Sequence, residues 1–179
     1  MDYIAHYDSP LGGITLASDG ERLAGLWFDG QKYFADALGK EHEERPELEI
    51  FGTTRRWLDI YFSERQPDFT PPYRIDDLTP FRRAVADAML AIPFGETTTY
   101  GDIAAALAKK RGIAKMSAQA VGGAVGWNPI CIIIPCHRVV GSNNSLTGYG
   151  GGIKNKVALL AHEGLDMERF TVPTRGTAL

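Results

Sequence analysis

Cysteine is scarce in this chain of 179 residues: Cys131 and Cys136 are the only two, five positions apart on one short segment. An isolated pair of this kind is not a disulfide framework, and a reducing compartment is its natural setting. Metal chemistry is as thinly provided for. His6, His42, His137 and His162 are the only histidines, and no C-x-x-C or H-x-x-x-H spacing occurs, so no metal site is expected. No apolar run approaches the roughly 20 residues that span a bilayer. Met1-Asp2-Tyr3-Ile4-Ala5-His6 lacks the basic-then-apolar plan of a signal peptide, and a soluble, cytoplasmic protein without a membrane partner is expected. The glycine runs Gly122-Gly123 and Gly150-Gly151-Gly152 do not form G-x-G-x-x-G between a strand and a helix, which argues against a dinucleotide-binding fold.

Another absence is local. The net charge is −3, yet residues 103–162 contain no Asp or Glu at all. They carry seven basic residues: Lys109, Lys110, Arg111, Lys115, Arg138, Lys154 and Lys156. Residues 1–78 hold 16 acidic and 8 basic residues, a balance of −8. A carboxylate-free basic stretch in an acidic protein is expected of a phosphate-facing surface. A merely solvated basic face is the bland alternative.

Hydrophobic content of 44% suits a chain that buries a core. Residues 1–30 alternate apolar and polar positions around Ser9-Pro10-Leu11-Gly12-Gly13 and Ser18-Asp19-Gly20, predicting three short antiparallel strands. Residues 31–50 are Glu-rich and predict a helix with an exposed loop. Trp57, Ile60, Tyr61 and Phe62 predict a helical stripe within 53–64, and the prolines and aspartates of 65–78 a linker. Thr79-Pro80 is a helix start, with a cap and a proline at the first helical position. Val85, Met89 and Ile92 continue one face of that helix up to Pro93. A second helix is expected from Tyr100 to about Lys109, and a third, capped by Ser117, to about Gly126. Two short helices joined through a turn make a helix-turn-helix.

Ile132-Ile133-Ile134-Pro135-Cys136-His137-Arg138-Val139-Val140 carries the chemistry. Three successive isoleucines predict a fully buried strand that stops at Pro135. Cys136 then sits where a rigid element breaks, beside His137. A free thiol is only slightly ionised at neutral pH, and an adjacent base changes that. A Cys-His pair alone is weak evidence, since a buried cysteine is usually a small hydrophobe. A Cys-His hydrolase would also need an oxyanion hole, and the basic stretch offers it no support.

The nine-residue string resembles the active-site signature of the methylated-DNA–protein-cysteine methyltransferases. So do Phe94-Gly95-Glu96, Tyr100-Gly101-Asp102-Ile103-Ala104, Ala120-Val121-Gly122-Gly123-Ala124, Asn128-Pro129, Thr147-Gly148-Tyr149 and Leu160-Ala161-His162-Glu163-Gly164, in that order. The resemblance implies an α+β chain. A small RNase H-like domain with a three-stranded sheet (1–78) precedes a mostly helical, DNA-binding and catalytic domain (79–165) and a tail (166–179). It implies single-use transfer of the alkyl group of O6-alkylguanine, and of O4-methylthymine, to Cys136, without a cofactor. Some relatives hold a structural zinc in the N-terminal part; this chain has no cysteine there. The partner implied is double-stranded DNA, entered through the minor groove by a monomer. His137 is implied as the base acting through a water, Glu163 as its carboxylate, Asn128 as a brace, and Tyr100 as the group that pushes the phosphate and assists the leaving base. Gly101, Gln119, Ala120, Gly123 and Ser142 are implied DNA contacts beside Tyr100. Tyr149, Gly150, Gly151, Cys131 and Val139 are implied to line the base pocket. Two positions depart from the pattern: Gln119 stands where many relatives have an inserting arginine, and Cys131 where they often have proline or serine. A lesion-binding protein that signals without repairing is the alternative; relatives of that kind lack the acceptor cysteine.

Overall fold

The computed structural model describes residues 1–32, 34, 35 and 38–174, and the chain divides into two compact units. The first contains Met1–Asp77 together with Pro129–Ile133; the second runs from Leu78 to Asn128 and resumes at Ile134. Among the described residues, no helix is long and apolar enough to cross a membrane.

In the first unit the expected antiparallel meander is formed by β1 (Asp2–Ser9), β2 (Gly12–Ser18) and β3 (Leu23–Phe28). A fourth short strand, β4 (His42–Glu44), pairs in parallel with β1 and completes the order β3-β2-β1-β4. The helix expected within 31–50 does not form among the described residues, which make turns and β4 until α1 (Glu49–Phe62) begins. The reason is local: Gly30, at φ +77°, Gly39 and Pro46 punctuate a charged stretch that has no apolar stripe to bury. Helix α1 has such a stripe in Ile50, Phe51, Trp57, Leu58 and Tyr61, all buried. The Trp57 and Tyr61 rings stack at 5.5 Å. The stripe therefore begins earlier than Trp57, and the helix with it.

The isoleucine run is buried but is not a strand. Ile130 makes a single bridge to Leu26 of β3, through Leu26 N–H to Pro129 O (2.8 Å) and Cys131 N–H to Leu26 O (3.0 Å). The chain then turns back on itself, with Ile133 N–H bonded to Cys131 O at 2.8 Å. Ile132 takes a left-handed φ of 69°, which costs a β-branched residue about 1–3 kcal/mol. Full burial of its side chain returns roughly 1.5–3 kcal/mol, so the turn is sustainable. Pro129 and Pro135 bracket the run and leave no length for a ladder.

In the second unit the helices begin where the sequence places their caps. Helix α2 (Pro80–Leu90) is capped by Thr79 Oγ1, which accepts from Arg82 N–H at 3.2 Å. Strand β5 (Thr98–Thr99) leads into α3 (Tyr100–Arg111) through a reciprocal Thr99–Asp102 capping box. Gly112 closes α3 at φ +66°. Helix α4 (Ala118–Gly126) starts from the Ser117 cap and buries Val121, Ala124 and Val125. After the reactive segment, β6 (Val139–Val140) pairs in parallel with β5, and α5 (Ile153–His162) closes the unit. Leu160 of α5 packs with Val140 and Leu146, and Leu165, Met167 and Phe170 cover that cluster.

Gly25 offers a direct test of core packing in the first unit. It shares a face of β3 with Trp27, whose ring lies back across it, so a β-carbon on Gly25 would fall 1.9 Å from Trp27 Cη2. Gly25→Ala is expected to lower stability by about 1–3 kcal/mol through overpacking. Urea denaturation followed by tryptophan fluorescence measures it, and an unchanged midpoint would show that the ring moves aside freely.

Candidate active site

Pro135 ends the turn and opens a single 3-10 turn, Cys136–Arg138, in which all three side chains are buried. Arg138 N–H bonds to Pro135 O at 3.0 Å and Cys136 N–H to Ile134 O at 2.8 Å. The Cys136 thiol thus sits on backbone held at both ends. Asn128, two residues past the end of α4, donates from Nδ2 to Ile134 O (2.9 Å) and to Cys136 Sγ (3.1 Å). A side-chain amide pointing at sulfur favours its ionised form.

His137 is completely buried, and its Nε2 lies 2.7 Å from Glu163 Oε1. Glu163 is the residue just after α5. Its carboxylate also accepts from the Gly95 amide (3.0 Å, Oε2) and from the Arg138 guanidinium. Burial alone would raise the Glu163 pKa; the hydrogen bonds and positive charges of His137 and Arg138 overcome it and hold the group at about 2. The carboxylate is therefore ionised, the imidazole proton belongs on Nε2, and the lone pair falls on Nδ1. Burial pushes the His137 pKa down and outweighs the opposing pull of Glu163.

Tyr100, at the start of α3, donates its hydroxyl to Thr147 O at 2.9 Å. Burial raises its pKa, and the negative charge available at Cys136 raises it further. Tyr149 and Gly151 are buried and Gly150 is half-buried, while the Val139 carbonyl faces Lys156. Cys131 belongs to the other unit, its Sγ 3.8 Å from the Gln31 amide.

On the surface of the second unit, Gly101, Gln119, Ala120, Gly123 and Ser142 are exposed. The three glycines of α4 each cost about 1 kcal/mol relative to alanine in a helix. Their use is not internal packing alone: a β-carbon on Gly123 or Gly126 would meet nothing within 4 Å, and only Gly122 lies against a side chain, the Tyr100 ring at 3.8 Å. Trp127 is stacked under Arg82, 3.7 Å from the ring centre.

Two residues read from sequence as part of the basic surface are not on it. Arg138 is buried against Glu163, and Lys156 is fully buried, with Nζ donating to Val139 O (2.6 Å) and Thr147 O (3.1 Å). Burial lowers the Lys156 pKa to about 8, with the charge of Cys136 opposing the shift. Lysine and arginine are rarely buried unless paired, so composition pointed outward. One signal was available: Lys156 lies three residues before Leu159 and four before Leu160, on the apolar side of α5. Lys109, Lys110, Arg111, Lys115 and Lys154 do remain exposed.

Residues 80–165 match the family model of the 6-O-methylguanine DNA methyltransferase DNA binding domain. Residues 3–75 match the model of the ribonuclease-like domain of the same proteins. A methylated-DNA–protein-cysteine methyltransferase of Haemophilus influenzae is 36% identical over 161 residues, 90% of this chain and 86% of that protein. One from Mycobacterium tuberculosis is 41% identical over 161 residues, covering 88% and 92%. The crystal structure of Mycobacterium tuberculosis OGT in complex with DNA is 38% identical and superposes with a TM-score of 0.76 over 94% of both chains.

The depressed Glu163 pKa makes a stability prediction. A carboxylate whose folded value lies below its unfolded value adds stability above the unfolded value, and that stability is lost as pH falls toward the folded one. For Glu163 the window runs from 4.5 down to about 2. The thermal midpoint of the protein should fall through this window more steeply than that of Glu163→Gln, which should already be less stable at neutral pH. Parallel curves for the two proteins would remove Glu163 as the source.

Proposed function

The chain belongs to the 6-O-methylguanine DNA methyltransferase family, and from the geometry of its buried thiol we propose that Cys136 is the atom that accepts the alkyl group. The protein repairs alkylated DNA by direct reversal, as a methylated-DNA–protein-cysteine S-methyltransferase. The observation that carries the assignment is a pair of hydrogen-bonded sets, Asn128–Cys136 and His137–Glu163–Arg138, meeting on one buried 3-10 turn. Methyl carbon calls for a soft, strong nucleophile, and a thiolate is the best that proteins offer. His137 Nδ1 takes the thiol proton through a water. The sulfur attacks the alkyl carbon, the carbon–oxygen bond breaks, and the electron pair leaves on the base oxygen. Tyr100 assists protonation of the departing guanine. The product is a thioether that nothing in the site reverses, so each molecule acts once.

The target base lies inside a stacked duplex and must be flipped out. The exposed face of α4, with glycines opening onto solvent, suits close approach to a minor groove, and the exposed Lys109, Lys110, Arg111, Lys115 and Lys154 suit phosphates. Val139, Tyr149, Gly150 and Gly151 surround the flipped base. The protein acts as a monomer on alkylated guanine, and on O4-methylthymine, in the cytoplasm. Cys136 itself weighs against a reading as a lesion-binding signal.

Incubation with a duplex containing O6-methylguanine, followed by mass spectrometry, tests the acceptor. One adduct, about 14 Da for a methyl replacing a proton, is expected on Cys136. Cys136→Ala should abolish transfer and keep DNA binding; Cys131→Ala should leave transfer largely unchanged. Equal loss in both variants would overturn the assignment.

Gln119 provides a second test. An extruded base leaves a gap whose unstacking costs a few kcal/mol, and a planar, always-charged guanidinium fills such a gap better than a glutamine amide. Trp127 is engaged under Arg82 and does not substitute for it. Gln119→Arg should raise the repair rate on duplex DNA and scarcely change it on single strands or free base. Slower duplex repair, or an equal change on both substrates, would show that Gln119 is not the inserting residue.

A further inference from the structure

Arg138 follows the proposed base directly in sequence, and its guanidinium shares the same enclosure. Its Nε lies 3.1 Å and 3.0 Å from the two oxygens of Glu163, its Nη2 lies 3.0 Å from Oε1, and its Nη1 donates to Ile92 O at 2.7 Å. The imidazole of His137 therefore does not have Glu163 to itself. It shares that carboxylate with a cation whose charge never titrates.

The sharing has a chemical consequence. A buried carboxylate facing an imidazole alone strongly favours the imidazolium, because an ion pair in a low dielectric far outweighs an ion–dipole bond. A protonated imidazole cannot accept a second proton. A carboxylate already neutralised by a guanidinium exerts much less field, yet its oxygen still accepts the Nε2–H. Orientation is kept and premature protonation is avoided.

We propose that Arg138 is a positioning residue of the transfer reaction: by forking Glu163 it keeps His137 neutral, with Nδ1 ready to take the proton of Cys136. The inference rests on the reading of Cys136 as acceptor and His137 as base. Burial is the largest influence against protonation of His137; among the charged groups acting on it, Glu163 from the α5 side favours protonation, while Arg138 within the 3-10 turn and Lys156 of α5 add to the opposition. The Ile92 carbonyl explains the need for arginine. A lysine could neutralise Glu163 but could not hold both carboxylate oxygens in a planar fork and that carbonyl as well.

The test compares the wild-type chain with Arg138→Lys, which keeps a cation but breaks the fork, and Arg138→Met, which removes both. Nitrogen-15 NMR of the histidine rings gives the protonation midpoint of His137, and single-turnover transfer to Cys136 is followed against pH. In Arg138→Met the His137 midpoint should rise by about one unit or more, a tenfold change in that equilibrium. The acid limb of the transfer profile should move up by the same amount, and much of the rate should return at higher pH. Arg138→Lys should fall between, and serves alone if the methionine variant does not fold. A uniform loss of rate with an unmoved His137 midpoint would make Arg138 a strut and overturn the proposal. Absence of any Cys136 adduct in the wild type would instead remove the reading beneath it, so the two failures are distinguishable.

Discussion

The carboxylate of Glu163 is the point from which the second unit hangs. It receives the Gly95 amide from one segment and the imidazole and guanidinium of the adjacent His137 and Arg138 from another. Burying a carboxylate costs several kcal/mol unless charge and hydrogen bonds compensate. Here the compensation is complete enough to drive its pKa to about 2. The end of α5, the loop after α2 and the Cys136–Arg138 turn are therefore fixed to one another by a group that none of them can release cheaply. The thiol inherits that rigidity through the backbone of His137, while Asn128 holds it from the side of α4.

Local chemistry made much of this legible in the sequence. Thr79-Pro80 and Ser117 announce helix starts because a hydroxyl before an apolar-periodic run has little else to do, and both side chains cap as expected. The alternation in 1–30 likewise reads directly as a meander. What stayed hidden depended on contacts across the chain. Three isoleucines in a row look the same whether they lie in a strand or a buried turn, and only the bracketing prolines and the single bridge at Ile130 decide. Residues 31–50 look helical if their acidic side chains are counted and non-helical if Gly30, Gly39 and Pro46 are weighed. Strand β4, three exposed residues long, has no periodicity to read.

The site itself divides in the same way. Cys136 and His137 are adjacent and stand out; Glu163, Asn128 and Tyr100 came from the order of short motifs. Arg138 and Lys156 were misread because charge counted along a chain carries no information about depth. Both are buried: Arg138 pairs with Glu163, and Lys156, within electrostatic reach of Cys136, has an ammonium that bonds two carbonyls with its pKa lowered by burial to about 8. The DNA-facing charge is correspondingly smaller than the sequence suggested, and the electrostatic field of the reaction chamber larger.

The bridge between Leu26 and Ile130 bears on how the chain is made as well as how it stands. The first compact unit is incomplete at Asp77, because its β3 edge is occupied by Pro129–Ile133. Tyr73 covers that edge only at Leu23, so a polypeptide emerging from the ribosome N-terminus first leaves Leu26 unpaired while more than fifty further residues are added, and open strand edges are where chains associate wrongly. Closure of the edge waits for Pro129–Ile133, the segment that shortly precedes Cys136. The first unit is thus completed late in synthesis, by a segment that lies more than fifty residues beyond the rest of it.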